Sequence, residues 1–160
     1  MKNTFVSTFS SQSTEDVGKL IQKDIFDIEI ELMIEKFIIY KTSTDFKKLS
    51  LINYLNNTFV LIKKFDDLTG TYFKPMFQWA GRNTFEQVKE VSKQMGFKSL
   101  RVILYDKNKI VSGHRRAIKA LERQISNEIN LKVDRVKPDT EVWVVHTAEG
   151  YGFILLKITR

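Results

Sequence analysis

The last thirty residues limit what this chain can fold into more than any other stretch. Leu131 to Arg135 reads as a short strand, halted before Pro138, whose φ is fixed and whose nitrogen donates nothing. Glu141 to Thr147 and Tyr151 to Thr159 follow as two longer strands. They are joined through Ala148-Glu149-Gly150, a short glycine-containing loop of the hairpin kind. On the final strand Phe153 and Leu155 take one face, while Ile154, Leu156 and Ile158 take the other. A strand apolar on both faces must be covered on both, so earlier elements have to supply the cover. The nearest is a helix read over Ser112 to Glu128, which is also the most basic element of the chain.

A chain of 160 residues with 42% hydrophobic and 12% aromatic residues can bury a substantial core, as one domain or two small ones. With no cysteine, a disulfide scaffold and thiolate metal sites are excluded, and a reducing cytoplasm is the expected setting. The first residues open directly into a strand pattern, without the apolar run of a signal peptide. No apolar run approaches the roughly 20 residues a membrane-spanning helix needs. The net charge of +7 is unevenly placed. Residues 1–80 hold ten lysines and ten acids, whereas residues 81–160 hold nine lysines and all seven arginines against nine acids. Arginine suits bidentate phosphate recognition, so the second half is where an acidic partner is expected.

Taken in order, residues 4–9 alternate as a strand, and Ser13 is an N-cap for a helix carrying Val17, Leu20, Ile21 and Ile25. Ile28, Ile30, Leu32 and Ile34 alternate with glutamates as a half-buried strand, and residues 37–41 form its hairpin partner. A short helix with Phe46 and Leu49, capped at Thr44 or Asp45, precedes a strand over residues 58–63. The order β-α-β-β-α-β is that of the ferredoxin-like split unit, expected over residues 1–65. Residues 66–82 make an aromatic-rich junction whose Tyr72, Phe73, Phe77 and Trp79 are too many for a solvated linker. They are expected to pack between the halves, with one short helix at Pro75 to Ala80. Over residues 83–160, Asn83 and Glu86 resemble a capping box and Gly96 a left-handed helix end. A strand at 100–105 then leads through a basic turn, residues 106–109, into the basic helix.

Between Lys98 and Lys119 lie seven cationic side chains (Lys98, Arg101, Lys107, Lys109, Arg115, Arg116, Lys119) and one acid, Asp106. On a helical wheel Ile118, Leu121, Ile125 and Ile129 share the core face, while Arg116, Lys119 and Arg123 form a separate stripe able to follow a phosphate backbone. With Ser112 as N-cap, the first turn is Gly113-His114-Arg115-Arg116. Cations there oppose the helix dipole unless an anion occupies the site, and Gly113 would let a phosphate approach the backbone closely. His114 falls near the core face of the wheel, and His146 shares a strand face with Val142 and Val144. Two isolated histidines with no thiol or Ser/His/Asp grouping give neither a metal site nor a nucleophile. Asp134 and Asp139 flank the turn at Pro138, where aspartate commonly accepts from backbone amides. Trp143 reads as core or interface.

On these residues the second half resembles a THUMP domain, the RNA-binding module found beside tRNA-modifying catalytic domains. The resemblance rests on a strand with Arg101, a loop to Ser112 and a helix, then Val133-Asp134, Pro138-Asp139 and a strand pair ending Glu-Gly-Tyr-Gly-Phe-Ile-Leu-Leu-Lys-Ile-Thr. The first half is similar to the ferredoxin-like domain that precedes THUMP in bacterial class I RNA methyltransferases. The family's helix often carries a central glycine, which residues 120–125 lack. The resemblance implies an α/β (α+β) architecture, a ferredoxin-like subdomain followed by a THUMP-like one with a mixed sheet. It implies tRNA or another structured RNA as partner, since relatives grip the acceptor end and its 3′ tail. It also implies a methyltransferase domain in cis that uses S-adenosylmethionine. That domain would need a Gly-rich cofactor loop and an (Asp/Asn)-Pro-Pro-(Phe/Tyr) tetrapeptide, and with Pro75 and Pro138 as its two prolines this chain cannot hold the latter. No catalytic residue, metal or cofactor is therefore expected within these 160 residues. The competing expectation is a protein-interaction or homodimerisation domain without direct RNA contact.

Overall fold

In the computed structural model, residues 2–10, 12–68, 70 and 73–159 are described, and they divide into two compact units. The first comprises Met1–Leu61 with Lys157–Arg160, the second Ile62–Leu156. The junction expected at 66–82 thus belongs to the second unit, and the final residues group with the first.

The first unit runs β1 (Asn3–Thr8), α1 (Thr14–Asp24), β2 (Glu29–Ile34), β3 (Phe37–Thr42), α2 (Phe46–Leu49) and β4 (Asn57–Phe65), whose last residues enter the second unit. The strands lie in the order β2-β3-β1-β4 with every neighbouring pair antiparallel, the arrangement the β-α-β-β-α-β reading requires. Ser13 caps α1 through its hydroxyl, which accepts from the Asp16 amide at 3.1 Å. The β2 glutamates are exposed and Ile30, Leu32 and Ile34 half-buried, as the alternation dictates. Phe5, Val6, Val17, Ile21, Phe59 and residues 37–40 of β3 fill the core. One polar cluster is buried with them: the Ser7 hydroxyl lies 2.8 Å from Tyr40 OH and 2.9 Å from Thr58 Oγ1. Burial pushes the Tyr40 phenol up to about 12, so it stays a neutral hydrogen-bonding group. The unit closes late in the chain. Ile158 N–H donates to the Thr58 carbonyl at 2.9 Å, and Thr58 N–H to the Thr159 hydroxyl at 3.1 Å.

The second unit contains α3 (Phe73–Arg82), α4 (Glu86–Met95), β5 (Ser99–Asp106), β6 (Lys109–Val111), α5 (Arg115–Ile129), β7 (Lys132–Val133), β8 (Thr140–His146) and β9 (Gly152–Lys157). Its sheet is mixed: β8 runs parallel to β5, while β9 is antiparallel to β8 and β6 to β5. Phe153 to Leu156 are fully buried, so the strand apolar on both faces is covered on both. Gly150 (φ +91) turns the hairpin into β9. At Gly152 a Cβ would stand 2.4 Å from Leu68 Cδ1 and 2.8 Å from Met76 Sδ, so any larger residue would make those two side chains shift.

Three local expectations are corrected. The strand at 131–135 is only the two-residue β7, because Asp134 turns the chain by accepting from the Val136 and Lys137 amides, both at 3.0 Å. The Asn83–Glu86 capping box does not form: Asn83 Nδ2 closes α3 on the Trp79 carbonyl (2.7 Å), and the Phe85 amide donates to Glu128 Oε1 (2.6 Å). The junction helix is longer than Pro75–Ala80 and packs within its own unit, with Trp79 edge-on to Phe65 and Phe85. Tyr72 lies outside the described residues. Gly96, by contrast, ends α4 in the left-handed region at φ +74 as read.

The two amides on Asp134 hold its carboxyl below the usual aspartate range. A depressed native pKa gives stability that is complete above the unfolded value and lost as pH falls through the native one. Asp134→Asn should therefore flatten the acid limb of unfolding below about pH 4, as followed by circular dichroism.

Candidate nucleic-acid interface

β5 is the strand on which the site is built. β8 covers one edge throughout; the other is shared by β7, at Ser99 and Leu100, and β6, at Leu104 to Asp106. Between them the edge has no strand partner. There the buried carboxylate of Glu122 reaches in from α5, and its Oε2 accepts from the Val102 amide at 3.0 Å. Arg135 Nη1 donates to the same oxygen. The Arg135 carbonyl in turn accepts from Arg101 Nη1 at 2.8 Å, and Arg101 Nε donates to Glu141 Oε2 at 2.6 Å. Trp143 Nε1 completes the run on Glu141 Oε1 at 3.0 Å. Buried charge is tolerated here because each carboxylate has both a cation and a second donor.

Arg101 is engaged within the fold: the parallel register sets it directly opposite Glu141, and its guanidinium ties β5 to β8. Trp143 is 6% exposed and stacks on Tyr105 with ring centroids 5.2 Å apart.

Beyond β5 the chain reverses at Lys107 and Asn108, both with positive φ (47° and 75°), the two-residue turn that matches strand twist. β6 is a strand the sequence reading lacked. The helix then begins later than expected. Ser112 does not cap it; Gly113 (φ +119) and His114 (φ +50) hold the chain out of the helix, and Arg115 is its first residue with His114 at the cap position. The Asp134 and Asp139 readings hold: Asp139 Oδ2 accepts from the Lys98 amide at 2.7 Å.

Where β5, β6 and α5 meet, a groove of about 420 Å³ opens. Ile103 and Ile118 give it an apolar floor with the exposed Ile110 beside them, and Arg115, Lys119 and Arg135 stand along it, with Ser112 and Gly113 at the entrance to the helix. Arg115 and Lys119 are four residues apart on one helix face, and both are exposed. Among the described residues neither makes an ion pair, in contrast to Arg101 and Arg135. Arg116 and Arg123 are exposed on the adjoining flank of α5, and Lys107 and Lys109 at the hairpin tip. Lys98 is not brought to this group: it precedes the far end of β5, roughly 25 Å along an extended strand from the tip. Sequence reasoning missed Glu122 and Arg135, which lie at the margins of their periodic patterns and meet only through the tertiary fold.

A second hollow, of about 720 Å³, lies on the other side of the α5 start. Phe73, Phe77 and His114 line it, with Lys74, Gln78 and Ala117. His114 is exposed rather than near the core; its ring sits edge-on to Phe73 at 5.5 Å and stacks on Phe77 at 6.3 Å. His146 is buried, as read, with Nδ1 2.8 Å from Asp106 Oδ1. Among the described residues no three His, Cys, Asp or Glu side chains gather to hold a metal ion, and no helix is long and apolar enough to cross a membrane.

No family model matches the sequence, and no curated protein does. Solved structures do match in fold. The chain superposes on TrmN from Thermus thermophilus with a TM-score of 0.66 at 10% identity, covering 98% of this chain and 46% of that one. A 4-thiouridine synthetase, solved with RNA and bound ATP, gives 0.58 at 16% identity over 98% and 42%. A protein described as a predicted N6-adenine-specific DNA methylase from Listeria monocytogenes gives 0.63 at 9% over 98% and 40%. The chain thus spans less than half the length of each of these proteins, and at such identities the likeness is one of fold: an α+β architecture with a mixed sheet.

Proposed function

We propose that this chain is an RNA-binding unit, of the THUMP type with a ferredoxin-like companion, that holds tRNA or another structured RNA for a methylase domain on the same polypeptide. The observation that carries this is the groove beside α5, where Arg115 and Lys119 stand exposed and unpaired among the described residues over an apolar floor. Phosphates would sit on the two cations, with Arg116, Arg123, Lys107 and Lys109 widening the positive field around them. The fold likeness to a 4-thiouridine synthetase crystallised with RNA supports the choice of ligand. The likeness to a chain described as a predicted N6-adenine-specific DNA methylase, more than twice as long, supports a non-catalytic share in a larger enzyme. S-adenosylmethionine would then be the cofactor of the partner domain, and none of its binding is assigned to these residues. The cytoplasm is the fitting compartment.

The test is tRNA binding by the 160-residue chain across a salt series, read by fluorescence anisotropy. Affinity should fall by roughly tenfold or more between 50 and 200 mM salt, as expected when a few phosphates are neutralised. A salt-independent association, or self-association with no RNA bound, would favour the interaction-domain reading instead.

A further inference from the structure

We infer that the aromatic hollow between α3 and α5 is a nucleobase site, which receives a base unstacked from the RNA whose phosphates occupy the adjoining groove. This rests on the RNA-binding reading above and adds a second, separate site to it.

The hollow and the groove share the entrance to α5 but not their walls. Gly113 and Arg115 line the cationic groove, whereas His114, between them in sequence, lines the aromatic hollow. The two sites therefore adjoin at consecutive residues of the chain, Arg115 for a phosphate and His114 for a base. The walls suit a flat ring. The imidazole and the Phe77 ring lie within 28° of parallel, and the nearly buried Phe73 ring stands edge-on to the imidazole. Aromatic side chains accept any base by its π-face. Polar groups sit at the mouth rather than in the floor: Lys74 and Gln78 are both exposed, one able to meet a phosphate and the other a base edge.

The backbone at His114 points the same way. Its φ of +50° lies in the left-handed region, which a non-glycine residue of this kind rarely adopts. Asparagine adopts it more readily. The His114 side chain makes no cap bond to the helix end; its ring packs against Phe73 and Phe77 on the wall of the hollow.

The test compares an eight-nucleotide single-stranded RNA with a set in which one position at a time is abasic. Both are titrated against the full chain, its His114→Asn variant and its Phe77→Ala variant. His114→Asn preserves the left-handed backbone, and Phe77 is only half-buried, so both variants should keep the fold. One abasic position should weaken binding to the unaltered chain by roughly tenfold. His114→Asn should weaken the intact RNA by a similar factor and erase the difference between intact and abasic RNA, with the salt slope unchanged. If every abasic RNA binds as the intact one does, or if both variants keep the discrimination, the base site is overturned while the groove reading stands. Loss of all RNA binding by the unaltered chain overturns both, and capture of an apolar peptide by the hollow with no base dependence overturns the base site in favour of a protein ligand.

Discussion

Replacing Arg115 and Lys119 together by glutamate should lower tRNA affinity by roughly a hundredfold at 50 mM salt and flatten the salt dependence by about two phosphate equivalents. The pair is singled out because both side chains line one groove from one helix face and neither is neutralised by a carboxylate among the described residues. The matched reversal of Arg116 and Arg123, on the adjoining flank, changes net charge equally but should cost several-fold less if the groove, rather than the general field, holds the RNA. Both doubles alter exposed positions only, so unfolding free energies should change by less than about 1 kcal/mol. Equal losses from the two doubles would leave a diffuse electrostatic surface and no defined groove. No loss from the first would remove the RNA assignment.

Glu122→Ala is expected to be the most damaging single polar substitution in the second unit, at about 3 kcal/mol, or a fall of roughly 15 °C in that unit's melting temperature. The cost comes from the strand edge it serves. Val102 N–H, in a fully buried residue, has the Glu122 carboxylate as its hydrogen-bond acceptor, and removing that oxygen strands a buried donor. The released Arg135 adds little, because its side chain is 49% exposed and can turn to water. Glu122→Gln keeps an acceptor oxygen for the amide and should lose only about 1 kcal/mol. Chemical denaturation of the three proteins reads the comparison, and equal stability of all three would mean that the edge is satisfied in another way.

The parts of this fold legible in the sequence are those governed by short-range period and punctuation. The two-faced apolar run at Phe153 to Ile158, the β2 alternation, the Ser13 cap and the Gly96 helix end each declare themselves within a few residues. The departures lie where a distant partner decides. Arg101 looks like a free cation until the register of two parallel strands sets Glu141 opposite it, forty positions away. Ser112 has the chemistry of a helix cap, yet the strand β6 just before it leaves the chain needing two left-handed residues to turn into α5. β6 itself is three residues long, below what alternation can reveal; its one local sign was the Lys107-Asn108 pair, read only as a basic turn. His114 was displaced with the helix start, from a core position on an ideal wheel to the wall of an exposed hollow. Arg115, Lys119, Ser112 and Gly113 show in the sequence as charge and spacing; Ile103, Ile110 and Arg135, which join them in the groove, do not.

Thr58 has its hydroxyl partner 101 positions further along. As the polypeptide leaves the ribosome, the first unit therefore emerges with a strand edge still waiting for residues 158 and 159, after the whole second unit has been made. Closing so large a loop is slow, though its entropic cost grows only with the logarithm of length. Until then the edge of β4 lacks the partners it has in the finished fold, and an unpaired strand edge is a template for other extended segments.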